Sequence, residues 1–216
     1  MPVGLPRLYA IVDVEVCART GRPPRDVAAG LLDGGARLLQ VRAKSWSGGA
    51  LLALVDVVQA LAAPVGARVV VNDRVDVAGA ASAGVHVGQA DLPPAVARRL
   101  LGPAALIGCS THTADELTAG LAAPVDYLAY GPVFPTASKA RPDPVVGLDG
   151  VRAAADRAAA AGRPLVAIGG ITVDTAGAVI DAGADAVAVI ADLIAHTEPP
   201  AQRARRFLMA LGERAG

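Results

Sequence analysis

Three groups of residues in this chain are of types that could handle a phosphorylated ligand. Asp73 and Asp91, with Asn72 beside the first, offer hard oxygen ligands. Mg2+ commonly takes one or two carboxylates and completes its shell with water and substrate phosphates, so two acids suffice when the ligand is a diphosphate. Asp73 has an alternative task, because Asp is a preferred cap and a helix is expected to start at Arg74. Arg42, Lys44 and Lys139 are the cations. An Arg fork grips phosphate oxygens in pairs, and Lys supplies a compact point charge. In Gln40-Val-Arg-Ala-Lys44, strand alternation puts the three polar side chains on one face. The third group is Gly169-Gly170, followed by Ile171 and Thr172 at a helix start. Glycines admit a phosphate close to the backbone, and the N–H groups of a helix start attract it.

These residues are far apart in the chain, and a repeating strand-then-helix pattern is what can assemble them. Runs rich in Val, Ile and Leu at 8–13, 37–42, 68–72, 84–87, 106–110, 127–131, 165–168 and 186–190 read as parallel strands buried on both faces. Helical patterns fall between them, for example at 25–32, 49–61, 117–123, 151–161 and 202–211. Residues 113–116 have the spacing of a capping box. The stretches GGARLLQV, SAGVHVG, PVDYLAYG and AGADAVAVI each lead into an even-numbered strand through a very short connection. Eight such units predict an α/β fold, a single (β/α)8 TIM barrel, with residues 1–216 as one domain. The rival is an open doubly wound sheet, but no GxGxxG follows the first strand.

The strand ends then acquire a common meaning. Asp13 ends the first strand, Gln40, Arg42 and Lys44 the second, and Asn72 and Asp73 the third. His86, Gln89 and Asp91 follow the fourth, and Ser110, Thr111 and His112 the fifth. Thr136, Ser138 and Lys139 lie after the sixth, Gly170 after the seventh, and Ile190, Ala191 and Asp192 at the eighth. A barrel brings all of these to one rim, where such folds place their active sites. His86, between two valines, reads as a hydrogen-bonded structural histidine. The last helix, with Arg203, Arg205 and Arg206, reads as amphipathic and solvated. Trp46 is expected either over the rim or packed on the following helix.

Acidic and basic residues balance at 20 each, which argues against a nucleic-acid or membrane-surface partner that depends on bulk positive charge. No apolar run reaches the roughly 20 residues of a membrane span, and no cleavable leader opens the sequence. Cys17 and Cys109 read as reduced packing residues in a cytoplasmic protein. The partners expected are small phosphorylated molecules, with association into a homo-oligomer left open.

The motifs RLLQVRAK, VVVNDRVDVA, GVHVGQADLP, LIGCSTHT, DYLAYGPVFPTASK, VAIGGIT and AGADAVAVIADLI together resemble the thiamine phosphate synthase family, in order and along most of the chain. The resemblance implies condensation of 4-amino-5-hydroxymethyl-2-methylpyrimidine diphosphate with thiazole phosphate, or its carboxylated form, releasing diphosphate. By the same resemblance, Gln40, Arg42, Lys44, Asn72, Ser110 and Lys139 would bind the pyrimidine diphosphate. Arg42, Lys44, Ser110 and Lys139 among them would carry the catalytic part. Asp73 and Asp91 would hold Mg2+, while Thr136, Ala137, Ser138, Gly170, Ile190 and Ala191 would contact the thiazole phosphate. A dissociative reaction is implied, asking for electrostatic positioning and not for a nucleophilic triad at residues 110–112. Three positions depart from the family pattern: Ala43 replaces an acid, Ala137 a proline and Ala191 a serine. The alternatives are a thiazole tautomerase, a similar metal-free barrel sharing a His like His112, and a non-catalytic barrel that binds thiazole phosphate.

Overall fold

The computed structural model describes residues 4–136 and 143–213. Runs dominated by branched and small apolar residues form eight strands, since such side chains suit an extended backbone covered on both faces. They are β1 (Leu8–Asp13), β2 (Leu38–Arg42), β3 (Arg68–Asn72), β4 (Gly84–Val87), β5 (Ile107–Thr111), β6 (Tyr127–Tyr130), β7 (Leu165–Ile168) and β8 (Ala186–Val189). Each pairs in parallel with the next, and β8 pairs back to β1 with Leu8 opposite Val187, so the sheet closes into the expected (β/α)8 barrel. Where strand ends differ from the sequence pattern, they differ by one residue. Gly131 drops out because Pro132 after it has no N–H for the ladder. Thr111 is gained because it lies opposite Tyr130.

Around the barrel lie α1 (Val14–Thr20), α2 (Pro24–Asp33), α3 (Gly48–Ala62), α4 (Val75–Ala80), α5 (Pro94–Leu101), α6 (Ala114–Ala122), α7 (Gly147–Ala160), α8 (Val173–Asp181), α9 (Ala191–Ile194) and α10 (Pro200–Ala210). Proline opens α2, α5 and α10, where its missing N–H has no partner to lose. Thr113 caps α6 by accepting from Glu116 N at 3.2 Å. The expected box does not close on itself, because Glu116 Oε2 takes the N–H of His112 at 2.7 Å. The stretch Gly48–Val65 is, by length and composition, apolar enough to cross a membrane. In this fold it turns Leu51, Leu54, Val55 and Val58 inward as part of the barrel's outer core.

Strand alternation divides the apolar residues into two cores. Leu8, Ala10 and Val12 face the helices, while Tyr9 and Ile11 face the barrel interior with Leu38, Val70, Tyr127, Ala129 and Val166. The last helix departs from expectation. Its apolar stripe of Ala204, Phe207, Leu208 and Leu211 includes Arg203, which is only 5% exposed. Helical periodicity placed this cation on the packed face, so α10 is not solvated all along its basic side. Burial pushes the Cys17 thiol up to about 12 and the Cys109 thiol to about 11, so both stay protonated and pack as small apolar groups.

One interior contact leaves no room for a side chain. A Cβ on Gly108 would stand 2.0 Å from Cζ of Tyr127, whose ring lies across the β5 backbone. Gly108→Ala is expected to displace that ring and destabilise the fold by roughly 1–3 kcal/mol. The melting temperature should fall by about 2–4 °C per kcal/mol; an unchanged melting curve would contradict the packing described.

Candidate active site

The carboxyl ends of the strands surround a cavity of about 890 Å³. Gln40, Arg42 and Lys44 line it from β2 and its loop, and Asn72, Asp73 and Asp91 from β3 and the loops after β3 and β4. Ser110, Thr136, Gly170, Ile190 and Ala191 complete the expected set within the described residues. Ala137, Ser138 and Lys139 lie outside the described residues. The described residues picked from strand ends thus meet in one place, except Thr111, buried with its hydroxyl donating to Ala129 O at 2.9 Å, and Asp13, which stands behind Arg42.

Beneath the rim, side chains from five strands form a continuous hydrogen-bonded line. Gln40 Nε2 donates to the Tyr9 hydroxyl at 2.8 Å, and the Tyr9 and Tyr127 hydroxyls are 2.9 Å apart. Tyr127 Oη lies 3.0 Å from His86 Nδ1, and His86 Nε2 lies 2.8 Å from Ser110 Oγ. Burial pushes both phenols well above their ordinary range, so they remain hydroxyls that donate and accept. Gln40 donates into this line, either phenol can donate to the other, and the direction at His86 follows its tautomer. His86 is hydrogen-bonded at both ring nitrogens, as its setting suggested, and it lines the cavity beside the rim residue it holds. Ser110 is bonded to His86 and His112 Nδ1 to Gly131 O at 2.7 Å, so the two do not form a triad.

One of the two acids occupies a strained turn. Asp73 is left-handed at φ 63°, uncommon for a residue other than glycine. It does not cap α4, whose cap position is Arg74 with no side-chain bond to the helix. Its carboxylate instead stands 3.3 Å from Lys44 Nζ. Burial raises the Asp73 carboxyl, Lys44 opposes that shift, and the neighbouring Asp91 reinforces it. Asp91 Oδ2 accepts from Gly88 N at 2.7 Å, which fixes its direction. Two close carboxylates suit a divalent cation. No group of three or more His, Cys, Asp or Glu that could hold a metal occurs among the described residues. Such a pair fits Mg2+ that draws its remaining ligands from water and phosphate.

The Arg42 guanidinium is held by Asp13, which lies opposite it in the strand register and also caps α1 through Val16 N at 2.9 Å. Asp13 is 2% exposed, so a buried acid anchors the cation at the rim. On the other side of the cavity, Gly169 and Gly170 have φ of 103° and 65°. A Cβ on Gly170 would lie 2.5 Å from Pro135 O, so these glycines also let the loop after β7 pack on the loop after β6. Tyr9, Tyr127 and the anchoring role of Asp13 were missed in the sequence. Their signal is phase: Tyr9 and Ile11 point inward, as do Tyr127 and Ala129, and Asp13 stands two positions further along β1. Trp46 is exposed and is not part of the cavity wall. Ala43 is buried in the core between barrel and helices, so that departure also lies off the wall, whereas Ala191 is part of it.

The fold and this rim define a β/α barrel with a cavity at the carboxyl ends of its strands, the end where enzymes of this fold place their active sites. The chain belongs to the thiamine monophosphate synthase family, whose model matches residues 8–193. It is 47% identical over 213 residues to the thiamine-phosphate synthase of Koribacter versatilis, covering 96% of each chain. It is 40% identical over 199 residues to that of Moorella thermoacetica, covering 92% of each. The solved thiamine phosphate pyrophosphorylase from Pyrococcus furiosus superposes with a TM-score of 0.84 at 31% identity, over 95% of each chain.

Tyr127→Phe should break the buried line at its centre and leave Tyr9 and His86 each short of a partner. The expected loss is about 1–3 kcal/mol of unfolding free energy. A urea midpoint equal to that of the unchanged protein would show that the line contributes nothing.

Proposed function

We propose that this chain is a thiamine-phosphate synthase that joins the pyrimidine diphosphate to thiazole phosphate, or its carboxylated form, and releases diphosphate, with carbon dioxide as well from the carboxylated form. The observation that carries the reading is the convergence of cations, paired acids and a Gly-Gly turn on one cavity in a chain of this family. Gln40, Asn72 and Ser110 hold the pyrimidine, and Arg42, Lys44 and Lys139 hold its diphosphate. Thr136, Ala137, Ser138, Gly170, Ile190 and Ala191 receive the thiazole phosphate. Asp73 and Asp91 would hold Mg2+, which when bound supplies positive charge to the diphosphate oxygens.

The protein's own part is positioning and electrostatics. The bond between the pyrimidine methylene carbon and the diphosphate oxygen breaks, and both electrons leave with diphosphate. Arg42 and Lys44 stabilise that developing charge from places fixed by Asp13 and Asp73. The ring-stabilised methylene cation left behind is captured by the thiazole nitrogen, held close by the opposite wall. Ser110, held in place by its hydrogen bond to His86, turns its hydroxyl oxygen to the pyrimidine. The enzyme acts in the cytoplasm on small phosphorylated molecules, calls on neither nucleic acid nor membrane, and uses residues 1–216 as one domain.

Incubation with both substrates and MgCl2 should yield thiamine phosphate; a chelator should stop the reaction, and added Mg2+ should restore it. Absence of product under all these conditions would overturn the reading. Asp91→Asn keeps an oxygen for Gly88 N but loses the charge, so kcat should fall by about 10²-fold or more with the fold intact. Near-normal turnover would remove Asp91 from the metal site.

A further inference from the structure

On the thiazole-phosphate side the wall is built from two short pieces of chain, the turn after β7 and the turn after β8. Gly170 stands in the first and Ala191 in the second. Ala191 carries no hydroxyl, so what it offers a phosphate is a backbone N–H whose position has to be right. The helix it begins, α9, is four residues long and cannot hold itself in place by its own hydrogen bonds.

Asp192 ties the two pieces together. Its Oδ2 accepts from Val173 N at 2.9 Å, and Val173 is the first residue of α8, three positions beyond Gly170. Arg203 then grips Asp192 from behind. Nη2 reaches both carboxylate oxygens at 2.7 Å, and Nε donates to the Asp192 main-chain oxygen at 3.2 Å. The same guanidinium lies over the Phe207 ring at 5.9 Å and near Glu198 at 3.6 Å. A buried guanidinium is costly unless its donors are used, and here the fork holds both the side chain and the backbone of one residue. The pair also balances charge, for an unpaired Asp192 would set a bare carboxylate in the wall that receives a phosphate.

We propose that Asp192 and Arg203 form a clamp that sets the spacing of the Gly170 and Ala191 turns, with Arg203 a positioning residue for thiazole-phosphate binding. This rests on the function proposed above. The clamp holds one wall only, so it should affect one substrate only.

The test is a steady-state comparison of Arg203→Met and Arg203→Lys with the unchanged full-length enzyme. In Arg203→Met, KM for thiazole phosphate should rise by about tenfold or more, as is usual when a supporting partner of a ligand group is lost. KM for the pyrimidine diphosphate and kcat at saturation should stay within about twofold. Arg203→Lys should recover part of the loss, because it keeps the charge without the fork. Equal rises in both KM values, or no rise in either, would overturn the clamp; if the Met variant does not fold, the Lys variant is read for the same split. Direct titration with thiazole phosphate makes the comparison without turnover. A wild-type protein that makes no product counts against the proposed function, whereas an unchanged Kd in Arg203→Met counts against the clamp.

Discussion

The hydroxyl of Tyr127 sits inside a closed barrel, where a polar atom without a partner is costly. Much of the interior is arranged around that constraint. Gly108 has no side chain because the Tyr127 ring occupies its place, and Tyr9 packs edge-on at 82° with its hydroxyl turned to the same point. Gln40 and His86 complete the line, and both reach the rim. The hydrogen bonds under the cavity thus also join strands of the barrel to one another. Such a network rigidifies when it is fully satisfied, which is what a site that works by positioning requires.

Above that floor, opposite charges rest on one another before any ligand arrives. Arg42 leans on buried Asp13 and Lys44 on Asp73, while Asp73 is pushed up by burial and by Asp91. In the proposed reaction these contacts keep the cations from collapsing elsewhere and limit the side-chain freedom lost when diphosphate binds. The left-handed backbone at Asp73 fits this picture, since strain of this kind persists where the surrounding structure insists on it. The side proposed for the thiazole phosphate is built differently, from backbone and small residues, and the proposed clamp of Asp192 and Arg203 stands behind it.

Much of this was legible from the chain because a parallel barrel ties topology to chemistry. Once eight buried strands are counted, residues such as Arg42, Asn72 and Ile190 need only their place at a strand end to be assigned to one rim. What escaped notice lies away from those ends or depends on tertiary contacts. Tyr9 and Tyr127 sit deeper along their strands, where an apolar role is the ordinary reading. Asp73 could not be told from a helix cap until its backbone was seen to be left-handed. Arg203 was misread because three basic residues on a terminal helix suggest solvent, and its partner Asp192 belongs to another element. Ala43, a departure from the family pattern, loses much of its weight once it is seen to face the outer core.

The central claim is that two anion subsites face each other across one preorganised rim, one served by cations and paired acids, the other by backbone. A crystal structure with thiamine phosphate, diphosphate and Mg2+ bound tests it most directly. The account predicts diphosphate between Arg42 and Lys44, with the metal on Asp73 and Asp91, and the phosphate of thiamine phosphate against Gly170 and Ala191. Products bound away from this rim, or a metal held without either aspartate, would contradict it.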